Sequence, residues 1–224
     1  MPLEVEIPVK EVQRYMGYHG IVEIEPGMME KINRAVDQVS IQSHPRIISR
    51  EFPVTVKDNI VTLHDGAEEI PFESEALARN LSGCCGAILL AATIGPACDM
   101  LVRRAGVTSA AEASIYQAAG AAAIESFLDD YNDKLKKSYE AQGLFLRPRF
   151  SPGYGDLKLE HQKDWFRLLD ITKQIGIELT DSLLMVPTKS VTAIIGVGFD
   201  KKTFTCSGCS GCNKKDSCEY SKGR

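Results

Sequence analysis

The sequence predicts an α/β domain of the α+β type, with a mixed, largely antiparallel sheet, long helices and a short cysteine-rich tail. Short runs of β-branched and aromatic residues fill much of the first third of the chain, and the longest helical pattern covers residues 109–142. After Phe204 the composition changes abruptly to Ser, Gly, Cys and Lys. We therefore expect one domain over residues 1–204 and a separate tail over residues 205–224.

Strand and helix signals alternate through the first half of the domain. The runs ISREFPVTV and NIVTLHDGAEEIPF predict strands, and the pair Lys57 and Asp58 between them is typical of a turn. Apolar residues at helical spacing predict helices over residues 74–79 and 97–104, with a buried strand over 87–94 between them.

The second half begins with the strongest helical signal in the chain, over residues 109–142. Ser109 is a plausible N-cap and Gly143 a plausible stop, and the Ala- and Gly-rich middle allows a neighbour to pack very closely. A further helix is expected from about Leu159 to Gln174, ended by Gly176, and the run LLMVPTKSVTAIIGVG predicts strand structure after it.

Composition argues against several classes of function. A net charge of −4 and a sequence pI near 5.7 give no basic surplus for binding nucleic acid. No apolar run reaches the roughly 20 residues of a membrane span, and the first residues lack the apolar core of a signal peptide. The seven cysteines are not distributed like a secreted disulfide framework, so we expect the reducing cytoplasm.

The stretch RPRFSPGYG, residues 147–155, is the first candidate for a functional site. Its prolines and glycines predict a rigid, irregular loop whose backbone groups can face a ligand, and a guanidinium such as that of Arg149 can grip a carboxylate or phosphate. The alternative is a tight connection between two helices with both arginines solvated.

Glu125 is the second candidate. It stands between small and apolar residues on the long predicted helix, where a partly buried carboxylate would need an arginine, a ligand ammonium or backbone donors as its partner. The alternative is that the helix turns Glu125 outward along the same face as Asp129, four residues later.

The tail, CSGCSGCNKKDSC, is the third candidate. Three cysteines spaced by two residues, with a fourth after five more, can converge on one metal centre, so we predict an iron–sulfur cluster or a structural zinc, with free or redox-active thiols as the remaining alternative. The candidate ligands are Cys206, Cys209, Cys212 and Cys218.

The other cysteines stand in apolar surroundings. Cys84, Cys85 and Cys98 all lie in or beside the runs predicted to be buried, and we expect core thiols rather than ligands.

Taken together, these residues resemble a known family. The run from Arg149 to Tyr154, the later segment WFRLLDITKQIGIELTDSLLMVPTKSVTAIIG and the helix AIESFLDDYNDKL look like the reactivation domain of vitamin B12-dependent methionine synthase. The match extends over about residues 110–198, and the cysteine tail is similar to that of free-standing members of the family. The resemblance implies an S-adenosylmethionine site.

The resemblance also assigns residues to that site. It places the family's loop arginine on Arg149, a residue read largely through its backbone on Ser151, and the helix glutamate on Glu125. Within the same loop we predict Gly153 and Tyr154 as further ligand-binding residues, and the alternatives for Tyr154 are a contact with the corrin or a role in pinning the loop to the core. The charges suit the ligand, since its carboxylate fits an arginine and its ammonium and sulfonium fit a carboxylate.

Two other positions depart from the family. Where it has an aspartate in its first helical segment, the matching stretch from Tyr15 to Gly17 offers a glycine, and the family's late tyrosine has no clear counterpart before Cys206.

The function implied is reactivation of a corrinoid cofactor. S-adenosylmethionine would methylate cob(II)alamin as one electron arrives from an electron donor, and the protein would act in trans. The partner would be a methionine synthase without its own activation domain or another corrinoid protein, and no nucleic acid or membrane would take part. The alternative is a non-catalytic S-adenosylmethionine-binding docking module with a structural zinc tail.

Overall fold

A six-stranded antiparallel sheet organises the computed structural model, which describes residues 5–18 and 24–200. Its strand order is β3-β2-β1-β4-β8-β5, and a separate two-stranded hairpin pairs β6 with β7. The sheet strands are β1 (Arg46–Lys57), β2 (Ile60–Asp65), β3 (Glu68–Glu73), β4 (Cys84–Thr93), β5 (Phe145–Leu146) and β8 (Ser190–Gly198), and the hairpin strands are β6 (Glu178–Leu179) and β7 (Met185–Val186).

The predicted α/β class with a largely antiparallel sheet is confirmed, and every pairing between the described strands is antiparallel. The first turn lies one residue later than expected, at Asp58 and Asn59, because Lys57 still pairs with Ile60. Asp58 has a φ of 55°, a left-handed conformation that aspartate tolerates better than most residues. The predicted tail from residue 205 onward lies outside the described residues.

Seven α-helices accompany the described strands, and none of them is long and apolar enough to cross a membrane. A short 3-10 turn, Leu159–His161, precedes α6. The helices are α1 (Val9–Tyr15), α2 (Pro26–Gln42), α3 (Glu75–Asn80), α4 (Ala97–Thr108), α5 (Ala110–Glu140), α6 (Gln162–Leu169) and α7 (Ile171–Ile175).

The long helix α5 forms where the sequence predicts it. The Ser109 side chain caps its N-terminus by accepting a hydrogen bond from the Glu112 amide at 3.2 Å. Gly143, which follows its end, has a φ of 73° that favours glycine. Gly120 in its middle faces the Cys98 sulfur and the Lys189 stem, so the expected close packing against the small-residue stretch is present.

The helix predicted over residues 159–174 is instead broken into three pieces. Asp170 adopts a left-handed conformation, with a φ of 49°, at the end of α6, and α7 begins at the next residue. The break redirects the chain so that Leu169, Ile171 and Ile175 all enter one apolar cluster. Sequence periodicity misses this break because the two short helices have continuous apolar spacing.

The sheet has two faces with separate cores, since successive side chains of a strand alternate between faces. We call the side where Leu90, Ala193 and Ile195 pack against α1, α2, α4 and α5 the helical face. The aromatic face is the opposite side, where Ile194 joins a cluster that contains Trp165.

Candidate ligand-binding site

The first half of the loop at residues 147–155 is tied to the edge of the sheet. The Arg147 amide donates to the Gly196 carbonyl at 2.8 Å, and Phe150 and Ile194 exchange two backbone hydrogen bonds of 2.9 and 2.7 Å. Because these bonds continue the line of β5 beside β8, the loop is not a tight connection between two helices. It forms the outer border of the sheet.

The second half of the loop is folded on itself. The Tyr154 amide donates to the Ser151 carbonyl at 3.0 Å and the Gly153 amide donates to the Leu157 carbonyl at 2.8 Å. Gly153 and Gly155 have φ values of 87° and 59°, which other residues rarely adopt. The predicted backbone amides are therefore used within the loop rather than left open.

Asp156 fastens the end of this loop to α3. Its carboxylate accepts hydrogen bonds from the Ser74 hydroxyl at 2.5 Å and from the amides of Glu75 and Ala76 at 2.7 and 3.2 Å. The hydrogen bond from Ser74 is the main cause that lowers the pKa of Asp156, and the two amides add to it. The loop is thus held at both ends, as a rigid ligand-binding loop requires.

The two arginines of the loop have different surroundings. Arg147 is only 2% exposed, its Nη1 donates to the Asp200 carbonyl at 2.8 Å, and its Cγ would lie 2.9 Å from a Cβ added at Gly196. The alternative of solvated arginines is therefore wrong for Arg147. This arginine is a structural residue, packed under the end of β8.

Arg149 reaches from the loop to α5 and joins two carboxylates. Its Nη2 lies 3.2 Å from Glu125 Oε2 and 2.8 Å from Asp129 Oδ1. The Arg149 side chain is 22% exposed, while its Nη1 is buried and has no hydrogen-bond partner within residues 5–18 and 24–200. The structure therefore brings Arg149 and Glu125 together, and the described residues leave Nη1 of the guanidinium without a partner.

Both sequence-based alternatives for Glu125, an outward-facing carboxylate and a carboxylate paired with an arginine, are partly correct. It is about half exposed and lies along the same face of α5 as Asp129, yet it has the arginine partner that a partly buried carboxylate needs. One cation between two carboxylates gives this patch a net negative charge. A ligand that brings both a carboxylate and a cationic group would complement it.

The end of α1 borders the same patch. Burial raises the pKa of the Tyr15 phenol, and the Glu125 carboxylate raises it further, whereas the Arg14 guanidinium, 4.5 Å from the ring centroid, acts in the opposite direction. Gly17, predicted above to stand where the family has an aspartate, follows with a φ of 90°, and no atom of the described residues lies within 4 Å of an added Cβ. Position 17 therefore offers no side-chain carboxylate.

The remaining loop residues predicted for the site have mixed surroundings. Ser151 is half-buried and Gly153 is exposed. Tyr154 is 55% exposed, and its ring meets that of Phe150 edge-on with centroids 5.2 Å apart. The contact pins Tyr154 to the core, while its outer side faces solvent.

The cysteines divide into three groups. Cys98 is buried, and burial raises the pKa of its thiol to about 11, so it is a core thiol as expected. Cys84 is half-buried, but Cys85 is exposed, and its prediction as a core thiol is wrong because the register of β4 shifts between Cys84 and Gly86 and turns Cys85 outward. The third group is the predicted metal ligands, Cys206, Cys209, Cys212 and Cys218, which lie outside the described residues.

The described residues include no candidate metal site, but they include one buried lysine. Within residues 5–18 and 24–200, no group of three or more His, Cys, Asp or Glu side chains could hold a metal ion. Lys189, which the sequence did not indicate as a site residue, is buried immediately before β8. The signal for it is the strand register, because Lys189 stands two residues before Val191 and therefore faces the same core.

Comparison with known proteins relates part of the chain to a known family. Residues 128–222 match the family described as vitamin B12 dependent methionine synthase, activation domain. The fold is similar to that of the MetH reactivation domain bound to AdoHcy, with a TM-score of 0.64 at 16% identity, covering 90% of this chain and 80% of that chain. No curated protein matches the sequence. The segment over residues 128–222 is therefore related to the activation domain of vitamin B12-dependent methionine synthase, and the chain shares the fold of the MetH reactivation domain.

Proposed function

We propose that the protein binds S-adenosylmethionine beside the loop at residues 147–155 and supports the reductive methylation of cob(II)alamin on another protein. The observation that carries this proposal is the Arg149 guanidinium, whose Nη2 is bound to Glu125 and Asp129 while Nη1 is buried without a partner in the described chain. The related domain that shares this fold is bound to AdoHcy, the ligand that remains when S-adenosylmethionine gives up its methyl group.

Each charged group of the ligand has a complementary side chain in the patch. The ligand carboxylate would accept from Arg149 Nη1, a charge-assisted hydrogen bond that leaves the existing ion pairs in place. Its ammonium and sulfonium would lie against the carboxylates of Glu125 and Asp129. With two cationic groups and one carboxylate, the ligand carries a net positive charge that offsets the excess negative charge of this patch.

The loop would contribute shape rather than charge. Ser151 and Gly153 would border the ligand through their backbone, and the exposed side of Tyr154 would face either the ligand or the docked partner. The glycine of the α1 end leaves the ligand ammonium dependent on α5, because Gly17 supplies no carboxylate.

Positioning is the protein's part in the reaction. The cobalamin of the partner supplies the nucleophile when it is reduced, so no side-chain base is needed. The methyl group leaves the sulfonium as S-adenosylhomocysteine forms, and one electron from a separate donor balances the step. The partner would be a methionine synthase without its own activation domain, or another corrinoid protein, and the reaction would run in the reducing cytoplasm.

We further propose that the cysteine-rich tail takes part in electron transfer to the corrin. Four thiolates at the spacing of Cys206, Cys209, Cys212 and Cys218 suit an iron–sulfur cluster or a zinc ion. A cluster would pass the electron towards the corrin, whereas zinc would only organise the tail for docking.

Anaerobic methyl transfer tests the proposal. The protein is purified without oxygen, its iron and zinc are measured, and it is mixed with a cob(II)alamin-bearing methionine synthase fragment, titanium(III) citrate and methyl-labelled S-adenosylmethionine. We expect label on the corrinoid and an equal amount of S-adenosylhomocysteine. A zinc-bound, colourless protein that transfers no label would contradict the reactivation function and support a docking module instead.

A further inference from the structure

A groove of about 550 Å³ opens on the helical face between α1, α4 and α5. Its apolar lining includes Val102, Ala113 and Ala118, and Tyr15 from the end of α1 borders it. One cation, Lys189, completes the lining. The groove thus combines apolar walls with a single charged group, a combination typical of small-molecule sites.

The Lys189 side chain is held in place by its surroundings. Its backbone carbonyl accepts from the Ile94 amide at 3.2 Å and from the Thr93 hydroxyl at 3.3 Å. Its stem crosses α5 at Gly120, with Cε only 2.9 Å and Cγ 3.2 Å from the place of an added Cβ. Because Gly120 has no side chain, the Lys189 stem can cross α5 at this point and its ammonium can reach the groove.

Within the described residues, the ammonium of Lys189 lacks a partner. The residue is only 7% exposed, and its ammonium has neither a hydrogen bond nor an ion pair with the residues of the described ranges. Asp99 acts on it from a distance, but the Asp99 carboxylate is engaged by the Thr188 amide and hydroxyl at 2.8 and 2.5 Å. A buried cation in this position is costly without an anion.

The charge balance around Lys189 favours a bound anion. Burial lowers the pKa of the Lys189 ammonium, and the nearby Cys98 and Asp99 raise it only in part. The Cys98 thiol is itself protonated at neutral pH, because burial raises its pKa to about 11. An anion that enters the groove would thus meet a positive site that the described residues leave uncompensated.

We propose that this groove binds a small organic carboxylate with an apolar body, whose carboxylate pairs with Lys189 and whose apolar part lies against Val102, Ala113 and Ala118. The site goes beyond the proposed function, because S-adenosylmethionine carries a sulfonium and an ammonium that Lys189 would repel. Its own carboxylate is assigned to Arg149.

Decanoate and decanol are the matched probes, since they share a chain and differ in charge. Calorimetric titration of the full chain at neutral pH should give at least tenfold tighter binding of decanoate, as a charge-assisted hydrogen bond predicts. In Lys189→Met, whose side chain has similar length and no charge, that preference should vanish. Lys189→Arg should keep most of it. Equal binding of the two probes by the wild type, or an unchanged preference in Lys189→Met, would overturn the proposal.

Two controls separate this site from the S-adenosylmethionine site. Arg149→Ala should keep the decanoate preference, and Lys173→Met, which removes an exposed lysine, should not change the binding of either probe.

Thermal unfolding supplies a readout that needs no ligand, because removing an unpaired buried charge should leave Lys189→Met at least as stable as the wild type. A marked loss of stability in that variant would mean that Lys189 has a structural partner, and the proposal would fail whatever becomes of S-adenosylmethionine binding.

Discussion

The two faces of the sheet bury their residues in opposite ways. On the aromatic face, Trp165 is fully buried, Phe72 packs against it with centroids 5.3 Å apart, and the indole donates to the Ala193 carbonyl at 3.0 Å. On the helical face, α5 contributes a stripe of small residues, and charged side chains lie at its margins. These charged residues are Glu125, Arg149 and Lys189.

The different packing of the two faces suggests that one face mainly stabilises the fold and the other mainly binds ligands. Large rings pack against one another in the core of the aromatic face, where Phe52, Phe72 and Trp165 are almost fully buried. Small residues bring α5 close to the sheet and leave long polar side chains to reach across its margins. We therefore expect substitutions on the aromatic face to affect folding, and those at the margins of the helical face to affect ligands.

The largest expected effect is on the aromatic face. Trp165→Ala should lower the free energy of unfolding by about 3–5 kcal/mol, because it empties a large buried volume and leaves the Ala193 carbonyl without its indole donor. Denaturant titration measures the loss, with Trp165→Phe as the control that keeps most of the volume. A loss below about 1 kcal/mol for the alanine variant would show that this face is not the packed core.

A smaller effect is expected at Gly120 on the helical face. An added Cβ would lie 2.3 Å from the Cys98 sulfur, so Gly120→Ala should destabilise by about 1–3 kcal/mol despite the better helix propensity of alanine. Combining it with Cys98→Ala removes the sulfur, and the double variant should lose less than the sum of the two single changes. Simple additivity in denaturant titration would refute the close contact between α5 and α4.

The smallest effect concerns the anchor of the loop. The pKa of Asp156 is lowered in the folded state, so the stabilisation it provides is present above the usual aspartate pKa of about 3.9 and disappears as the pH falls through its lowered value. Asp156→Asn should cost less than about 1 kcal/mol at neutral pH, since the carboxylate is exposed.

Denaturant titrations across pH check the Asp156 prediction. The difference between wild type and Asp156→Asn should shrink below about pH 4 and disappear at more acidic values. Ser74→Ala removes the main donor to the carboxylate and should reduce the pH dependence in the same window. A difference that stays constant down to pH 2.5 would mean that this carboxylate does not hold the loop.

Local signals explain how much of the fold the sequence predicts. The helix α5 follows from its cap at Ser109 and its uninterrupted spacing, and the strand pairs β1 to β3 follow from short turns. These features depend on neighbours within a few residues. The predicted helices and strands match the structure in those regions for that reason.

Distant contacts explain what the sequence does not predict. The break at Asp170 depends on how Ile171 and Ile175 meet the core, and the burial of Arg147 depends on Gly196, 49 positions away in the numbering of the chain. The candidate site is predicted only in part from the sequence. Arg149 and Glu125 are recognisable as residue types suited to one ligand, but their 3.2 Å contact depends on the packing of the loop beside α5.

The most direct test of the account is the affinity of the protein for S-adenosylmethionine with and without Arg149. Calorimetric titration at neutral pH should show that Arg149→Ala weakens binding roughly 10- to 150-fold, the loss expected for hydrogen bonds to a charged group. Arg167→Ala, which removes an arginine ion pair with Glu68 outside the proposed site, should bind like the wild type. Equal affinity in wild type and Arg149→Ala would contradict the assignment of the ligand to this loop.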